Sequence, residues 1–327
     1  MNRRDVYGIS VRGASHVRGG TECQDSCRTR ELDNGITAAA AADGHGSSAC
    51  PYSALGAAMA AEVFCDIMEE LTKSFGQDLD ALRAYLSREG SIKISEKIEQ
   101  EWKYRVLSEH VRSRRQPLAS RMRVIDTAEI YKLYGTTLLG ILMAPEYIFV
   151  FQIGDGDIML VTEEGAQSVV DPEKFLGVET HSLSREGAWK KAVTAVCSTE
   201  EGTSRERLYM LSTDGFLNSH RDHDEFLKTC RSYLEMIREY GFEDVSANLE
   251  PWLKETSEKG CGDDITVILA YELSDARPAG TRLRLQEKKH FRMDRRFKRR
   301  NRIPGARMHV YGKKRRLLRS RLRRKRW

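Results

Sequence analysis

The chain has 327 residues, 40% hydrophobic and 31% charged, with a formal net charge of +6; this composition supports a buried core and excludes a fibrous or low-complexity protein. The charge is split: residues 277–327 hold 23 Lys and Arg against 2 acids, net +21, whereas residues 1–276 hold 31 against 46, net −15. No run approaches the roughly 20 apolar residues of a membrane-spanning helix, and the first residues lack the apolar centre of a secretory leader. Seven scattered cysteines argue for reduced thiols in the cytoplasm, and Cys23-x₃-Cys27 has no second Cys/His pair to complete a zinc set.

In chain order, residues 6–12 partly alternate and 36–42 form a short apolar run; both read as strands. Leu55, Met59, Val63, Ile67 and Leu71 recur at four-residue steps and predict a helix over 54–75. Residues 79–115 are helical in pattern with a break near Gly90, which predicts two or three helices. Residues 136–143, 147–153, 157–161 and 168–170 are short, apolar and punctuated by Gly, Pro and acids, the texture of an antiparallel meander. Strands follow at 191–197 and 208–212, helices at 224–240 and 244–257, and a last strand at 265–271. Strands in runs, separated by runs of helices, predict an antiparallel α+β fold rather than a parallel one. The domain is placed at 1–273. The basic tail, 274–327, has few apolar residues and is predicted to be disordered.

Five segments place acids just after apolar runs or beside Gly: Cys23-Gln24-Asp25, Asp43-Gly44-His45-Gly46, Gly154-Asp155-Gly156-Asp157, Thr213-Asp214-Gly215 and Gly262-Asp263-Asp264. Asp-Gly alone is a common turn dipeptide. Five such sites at predicted strand ends imply more, because converging carboxylates repel one another and are costly to bury unpaired. A hard divalent cation such as Mg²⁺ or Mn²⁺, which prefers oxygen ligands, resolves that repulsion. Two such ions can activate water and clamp a phosphoryl group.

The ordered set Gln24-Asp25, Asp43-Gly44-His45-Gly46, Gly135-Thr136-Thr137, Gly154-Asp155, Asp214-Gly215 and Asp263-Asp264-Ile265-Thr266 resembles the type 2C protein phosphatases, the metal-dependent Ser/Thr phosphatase family. Gly13-Ala14-Ser15-His16 through Cys23-Gln24-Asp25-Ser26 resembles a bacterial branch, and the resemblance spans roughly residues 6–272. It implies a sandwich of two antiparallel β-sheets flanked by α-helices, with the metals at one edge. It also implies roles. Asp43 bridges two ions, Mn²⁺ or Mg²⁺, and the Gly44 carbonyl ligates the second. Asp214 and Asp263 hold the first, and Asp25 lies in or just behind the ligand set. Asp155 shares a third, weaker position with Asp214. His45 matches the general acid to the leaving alkoxide, a role that suits an imidazole.

Two departures are visible. Gln24 stands where the family often has Glu, which removes a charge. The family's phosphate-binding Arg falls on Gly20, with Arg18 two residues away as its substitute. The resemblance implies a phosphoprotein substrate carrying phosphoserine or phosphothreonine. The alternatives are a pseudo-phosphatase that keeps the fold as a regulatory binding module, and a protein whose tail dominates by binding nucleic acid or an anionic membrane surface. Gly13, Gly19 and Gly20 read as a plain turn, His16 as a structural histidine and Cys23 as a buried, inert thiol. Lys174, Arg185 and Lys190 read as solvated loop charges in the segment where the family has a flap.

Overall fold

A strand sends successive side chains to opposite faces, and in this chain most strands are apolar on both. The computed structural model describes residues 3–113, 126–170, 181–199 and 206–274. In it the strands are β1 (Arg3–Val11), β2 (Asp25–Glu31), β3 (Thr37–Asp43), β4 (Leu138–Met143), β5 (Tyr147–Ile153), β6 (Asp157–Val161), β7 (Ala166–Ser168), β8 (Val193–Ser198), β9 (Glu206–Ser212) and β10 (Ile265–Leu273). They form two five-stranded sheets, ordered β1-β10-β9-β6-β7 and β2-β3-β4-β5-β8. Every pairing between these strands is antiparallel.

The alanines of β3 show how the layers meet. Ala39 and Ala41 join Ile141, Val150, Leu211 and Ile268 between the sheets. Ala38, Ala40 and Ala42 face outward and pack with Val63, Phe64 and Ile67 of α2 (Ser53–Phe75). Ile98 and Trp102 of α4 (Ser95–Arg112) close that layer, with Tyr131 of α5 (Thr127–Lys132) beside Trp102. On the opposite side, α7 (His223–Tyr240) and α8 (Phe242–Lys259) place Phe226, Leu234, Leu249 and Leu253 against Met210, Val267 and Leu269. Each fully buried Leu or Phe contributes about 1.5–3 kcal/mol of apolar transfer. The result is the expected helix–sheet–sheet–helix sandwich.

Two local expectations are corrected, and a third is met. The meander over 136–170 is not one sheet: β4 and β5 lie in the second sheet, β6 and β7 in the first, and the chain crosses at residues 154–156. Apolar texture marks strands buried on both faces and carries no record of which sheet each joins. The glycine-flanked turn at 13–20 is a short helix, α1 (Ala14–Gly19), stopped by Gly20 in the left-handed region at φ 74°. The break expected near Gly90 is present as a five-residue π-turn, Gly90–Ile94, between α3 (Leu79–Glu89) and α4.

At the far end of the sandwich, buried Glu272 of β10 pairs with Arg4 at 2.7 Å and Arg207 at 3.5 Å, so the carboxylate is not left bare. No helix among the described residues is long and apolar enough to cross a membrane. The expected tail lies outside the described residues apart from Ser274, as does Lys174.

Candidate active site

The five acid segments gather at one edge because antiparallel register brings their strand ends together. Asp25, the first residue of β2, is the register partner of Asp43, the last residue of β3. Ser212, the last residue of β9, pairs with Val267 of β10, so Thr213 and Asp214 lie beside Asp263 and Asp264 at the start of β10. Asp214 opens α6 (Asp214–Asn218). Asp155 sits in the turn joining β5 to β6, where the chain changes sheets.

Asp25 links the two sheets. Its Oδ2 accepts from the hydroxyl of Thr213 at 2.7 Å and from that of Thr266 at 2.8 Å. Thr213 is itself fixed by the Thr266 amide, which donates to its hydroxyl at 2.9 Å. Asp43 is held through its backbone: its carbonyl accepts from the Thr136 hydroxyl and the Thr137 amide, both at 2.9 Å, and its amide donates to the Thr137 hydroxyl at 3.0 Å. Asp264 clamps the N-terminal loop, accepting the Gly13 and Gln24 amides at 2.6 Å each. It is buried, whereas the Asp263 side chain is 52% exposed.

The carboxylates strain one another. Burial pushes the Asp25 carboxyl up to about 7 against the pull of its two threonine donors, and Asp264 and Asp214 add to the rise. Burial raises Asp43 well above the carboxylate range, with Asp25 and Asp214 next, and a hydrogen bond shared with Asp214 holds its proton. Asp214 is also raised, by burial first and then by Asp155. No Lys or Arg among the described residues pairs with Asp25, Asp43 or Asp214. Repulsion among buried acids without a cation is the condition a divalent ion relieves, and the donors are hard oxygens. The residues therefore fit Mg²⁺ or Mn²⁺. Among the described residues, no three Asp, Glu, His or Cys side chains are drawn to ligand distance. The structure shows proximity and mutual repulsion, not a formed coordination shell.

Gly44 is wedged between β2 and α2. A Cβ there would lie 2.6 Å from the Ser53 carbonyl oxygen and 2.7 Å from that of Gln24, so no side chain fits. Beside it, the His45 amide donates to the Gly135 carbonyl at 3.0 Å, and a Cβ on Gly135 would lie 2.7 Å from the imidazole edge. Gln24 is 9% exposed, and its Oε1 is buried without a hydrogen-bond partner, facing Gly46 of the same loop. Arg18 is exposed on α1 and makes no hydrogen bond or ion pair among the described residues. Cys23 is half-buried, and burial pushes its thiol up to about 12, which agrees with an inert thiol.

Four residues have more part in the site than their sequence suggested. His16 lies 2.9 Å from Asp264 Oδ1 through Nδ1 and 3.7 Å from Asp263 Oδ1 through Nε2, although Nδ1 is out of line for a hydrogen bond. Thr213 and Thr266 hold Asp25, and Asp264 fastens the loop that carries Gln24. The signal for His16 was present: a histidine opening the same loop that ends in Gln24-Asp25.

Comparison with known proteins agrees with the fold. A family model described as Protein phosphatase 2C matches residues 12–254. Among solved structures, the catalytic domain of the serine/threonine phosphatase PstP, in complex with two manganese ions, aligns at 15% identity with TM-score 0.52, covering 84% of this chain and 100% of that one. The S. agalactiae serine/threonine phosphatase aligns at 16% identity with TM-score 0.51, covering 82% and 99%. PppA of Pseudomonas aeruginosa aligns at 15% identity with TM-score 0.50, covering 82% and 96%. At these identities the likeness shows the fold. No curated protein matches the sequence. With three-quarters of its length matched by the family model, the chain belongs to the protein phosphatase 2C family.

Proposed function

We propose that this chain is a Mn²⁺- or Mg²⁺-dependent phosphatase that removes phosphate from phosphoserine and phosphothreonine in proteins. The observation that carries the reading is the cluster of buried Asp25 with half-buried Asp43 and Asp214, each raised by desolvation first and then by neighbouring acids, and none paired with a described Lys or Arg, at the strand-end edge of a protein phosphatase 2C sandwich. Divalent cations bound there supply Lewis-acid chemistry, lowering the pKa of water and offsetting charge on a phosphoryl group.

The chain's own residues divide the remaining work. Asp43, the Gly44 carbonyl, Asp214 and Asp263 are the ligands of two cations, and Asp155 with Asp214 serves a third position. Asp25 stands behind them, oriented by Thr213 and Thr266. Gln24 Oε1, buried and unsatisfied, is an acceptor for water at the site. His45 holds the proton that passes to the departing serine or threonine oxygen. Arg18 is free to meet the substrate phosphate. The seven scattered cysteines are read as reduced thiols of a cytoplasmic protein.

The experiment is phosphate release from a phosphothreonine peptide by the full-length protein, after chelation and after adding back Mn²⁺ or Mg²⁺. The reading requires turnover that disappears with chelator and returns with the ion. Turnover indifferent to both, or none under any condition, refutes it. A second reading rests on charge. With 23 Lys and Arg against 2 acids, residues 277–327 bind nucleic acid or an anionic membrane in addition to catalysis, with a steep salt dependence.

A further inference from the structure

The strip from His181 to Lys191 lines a cavity of about 400 Å³ that adjoins the catalytic edge. At its start, the Leu183 amide donates to the Thr136 carbonyl at 3.0 Å, and the Thr136 amide donates to the Ser182 hydroxyl at 3.1 Å. Thr136 is the residue whose hydroxyl holds the Asp43 carbonyl. At the other end the loop is shaped by α4. Glu99, 6% exposed, accepts the amides of Gly187 at 3.1 Å and Trp189 at 2.7 Å and the ammonium of Lys103 at 2.5 Å. Lys103 also donates to the Arg185 carbonyl at 2.9 Å. A buried carboxylate that satisfies two backbone amides fixes the loop before any ligand arrives, and preorganisation lowers the cost of binding.

The lining combines apolar Ile153 and Ala188 with the cations Arg185, Lys190 and Lys191; among the described residues Glu186 is its one acid. Most lysines of the described fold are spent on neighbouring acids, as in Lys73–Glu69, Lys103–Glu99 and Lys254–Glu250. Lys190 and Lys191 are exposed and form no ion pair among the described residues, and Lys190 lies 5.5 Å from the centroid of the Trp189 ring. A positive cavity on a body of net charge −15 selects by sign.

We infer that this cavity is a docking subsite for acidic residues flanking the phosphorylated residue of a protein substrate. The inference rests on the phosphatase reading above and names its substrate class: acidic phosphopeptides in preference to basic ones. Two unpaired lysines on a rigid, open loop suit several carboxylates spread along a peptide better than a single compact anion.

The test uses full-length protein with Mn²⁺ and two phosphothreonine peptides that differ only in carrying Asp/Glu or Lys/Arg flanks. Lys190→Glu with Lys191→Glu lowers kcat/KM for the acidic peptide about 10-fold, through KM, and leaves kcat and turnover of p-nitrophenyl phosphate unchanged. Lys228→Glu with Arg231→Glu makes the same charge change on exposed positions of α7, across the sandwich and without an ion pair among the described residues, and leaves the peptide preference in place. Equal loss in both double variants, or an unchanged preference in the first, overturns the inference. A second arm measures fluorescence anisotropy of a labelled acidic peptide without phosphate. Weaker binding to the Lys190/Lys191 variant alone supports the subsite, and binding equal to wild type overturns it. If wild type turns over no phosphopeptide, the phosphatase reading fails, and this second arm still decides the cavity.

Discussion

Asp25→Asn isolates the cost of burying a carboxylate at the sandwich edge. The amide oxygen can accept the same Thr213 and Thr266 hydroxyls, so the link between sheets survives while the charge is lost. In the metal-free protein the folded carboxyl is pushed up to about 7, against an ordinary value of 3.8. A raised folded pKa means that the native state binds more protons than the unfolded one. The stability tied to that proton is therefore full below about pH 4 and is lost as pH rises through 7. A shift of about three units corresponds to about 4 kcal/mol at pH 7.5, shrinking to about 1 kcal/mol near pH 4.5. Asn does not titrate. In chelator, the variant is thus about 2–4 kcal/mol more stable than wild type at pH 7.5, roughly 5–10 °C in Tm for a domain of this size. Thermal melts at pH 4.5, 6 and 7.5 measure this. With saturating Mn²⁺ the order reverses, since wild type gains more from binding. A metal-free wild type as stable as the variant at pH 7.5, with no decline from pH 4.5, refutes the reasoning.

Asp43→Asn abolishes Mn²⁺-dependent turnover of a phosphothreonine peptide while the fold persists by circular dichroism, because the acid at the centre of the cluster is gone. His45→Gln lowers kcat by about 10²–10⁴-fold on alkyl phosphoesters and less on p-nitrophenyl phosphate, whose leaving group needs little protonation; equal losses on both count against the general-acid role. Glu99→Ala strips the Gly187 and Trp189 amides of their acceptor and lowers stability by about 2–4 kcal/mol in denaturant titration. Deleting residues 277–327 removes 23 cations but no part of β10, which ends at Leu273. Turnover of a short phosphopeptide is unchanged in that truncation, and retention on heparin across a salt gradient is lost; a collapse of turnover would place the tail in the catalytic fold.

Much of this architecture was legible in the sequence, for identifiable reasons. The α2 stripe, the π-turn near Gly90 and the apolar β4, β5 and β10 announce themselves through periodicity and β-branched composition. β2 does not: its sequence, DSCRTRE, is polar because the strand lies at a sheet edge. Nor does β3 reveal its two faces, since five consecutive alanines look alike whichever layer each one meets. The crossing at 154–156 depends on long-range pairing that no local pattern encodes. At the site, the acids were readable from their place after apolar runs. What orients them was not, because Thr213, just after β9, and Thr266, within β10, look ordinary until β9, β10 and β2 are brought together. The neighbouring acids of Gly262-Asp263-Asp264 part company in three dimensions: Asp263 faces the edge, while Asp264 is buried as the clamp on Gly13 and Gln24.

The central claim is that Asp25, Asp43 and Asp214 surround a divalent-cation centre. Anomalous diffraction at the manganese edge, from crystals of the full-length protein grown with Mn²⁺, tests it most directly. The account predicts two strong peaks between Asp43, Asp214 and Asp263, with Asp43 contacting both, and their loss in Asp43→Asn. A wild-type map with no peak at that edge, or with peaks only elsewhere on the surface, contradicts it.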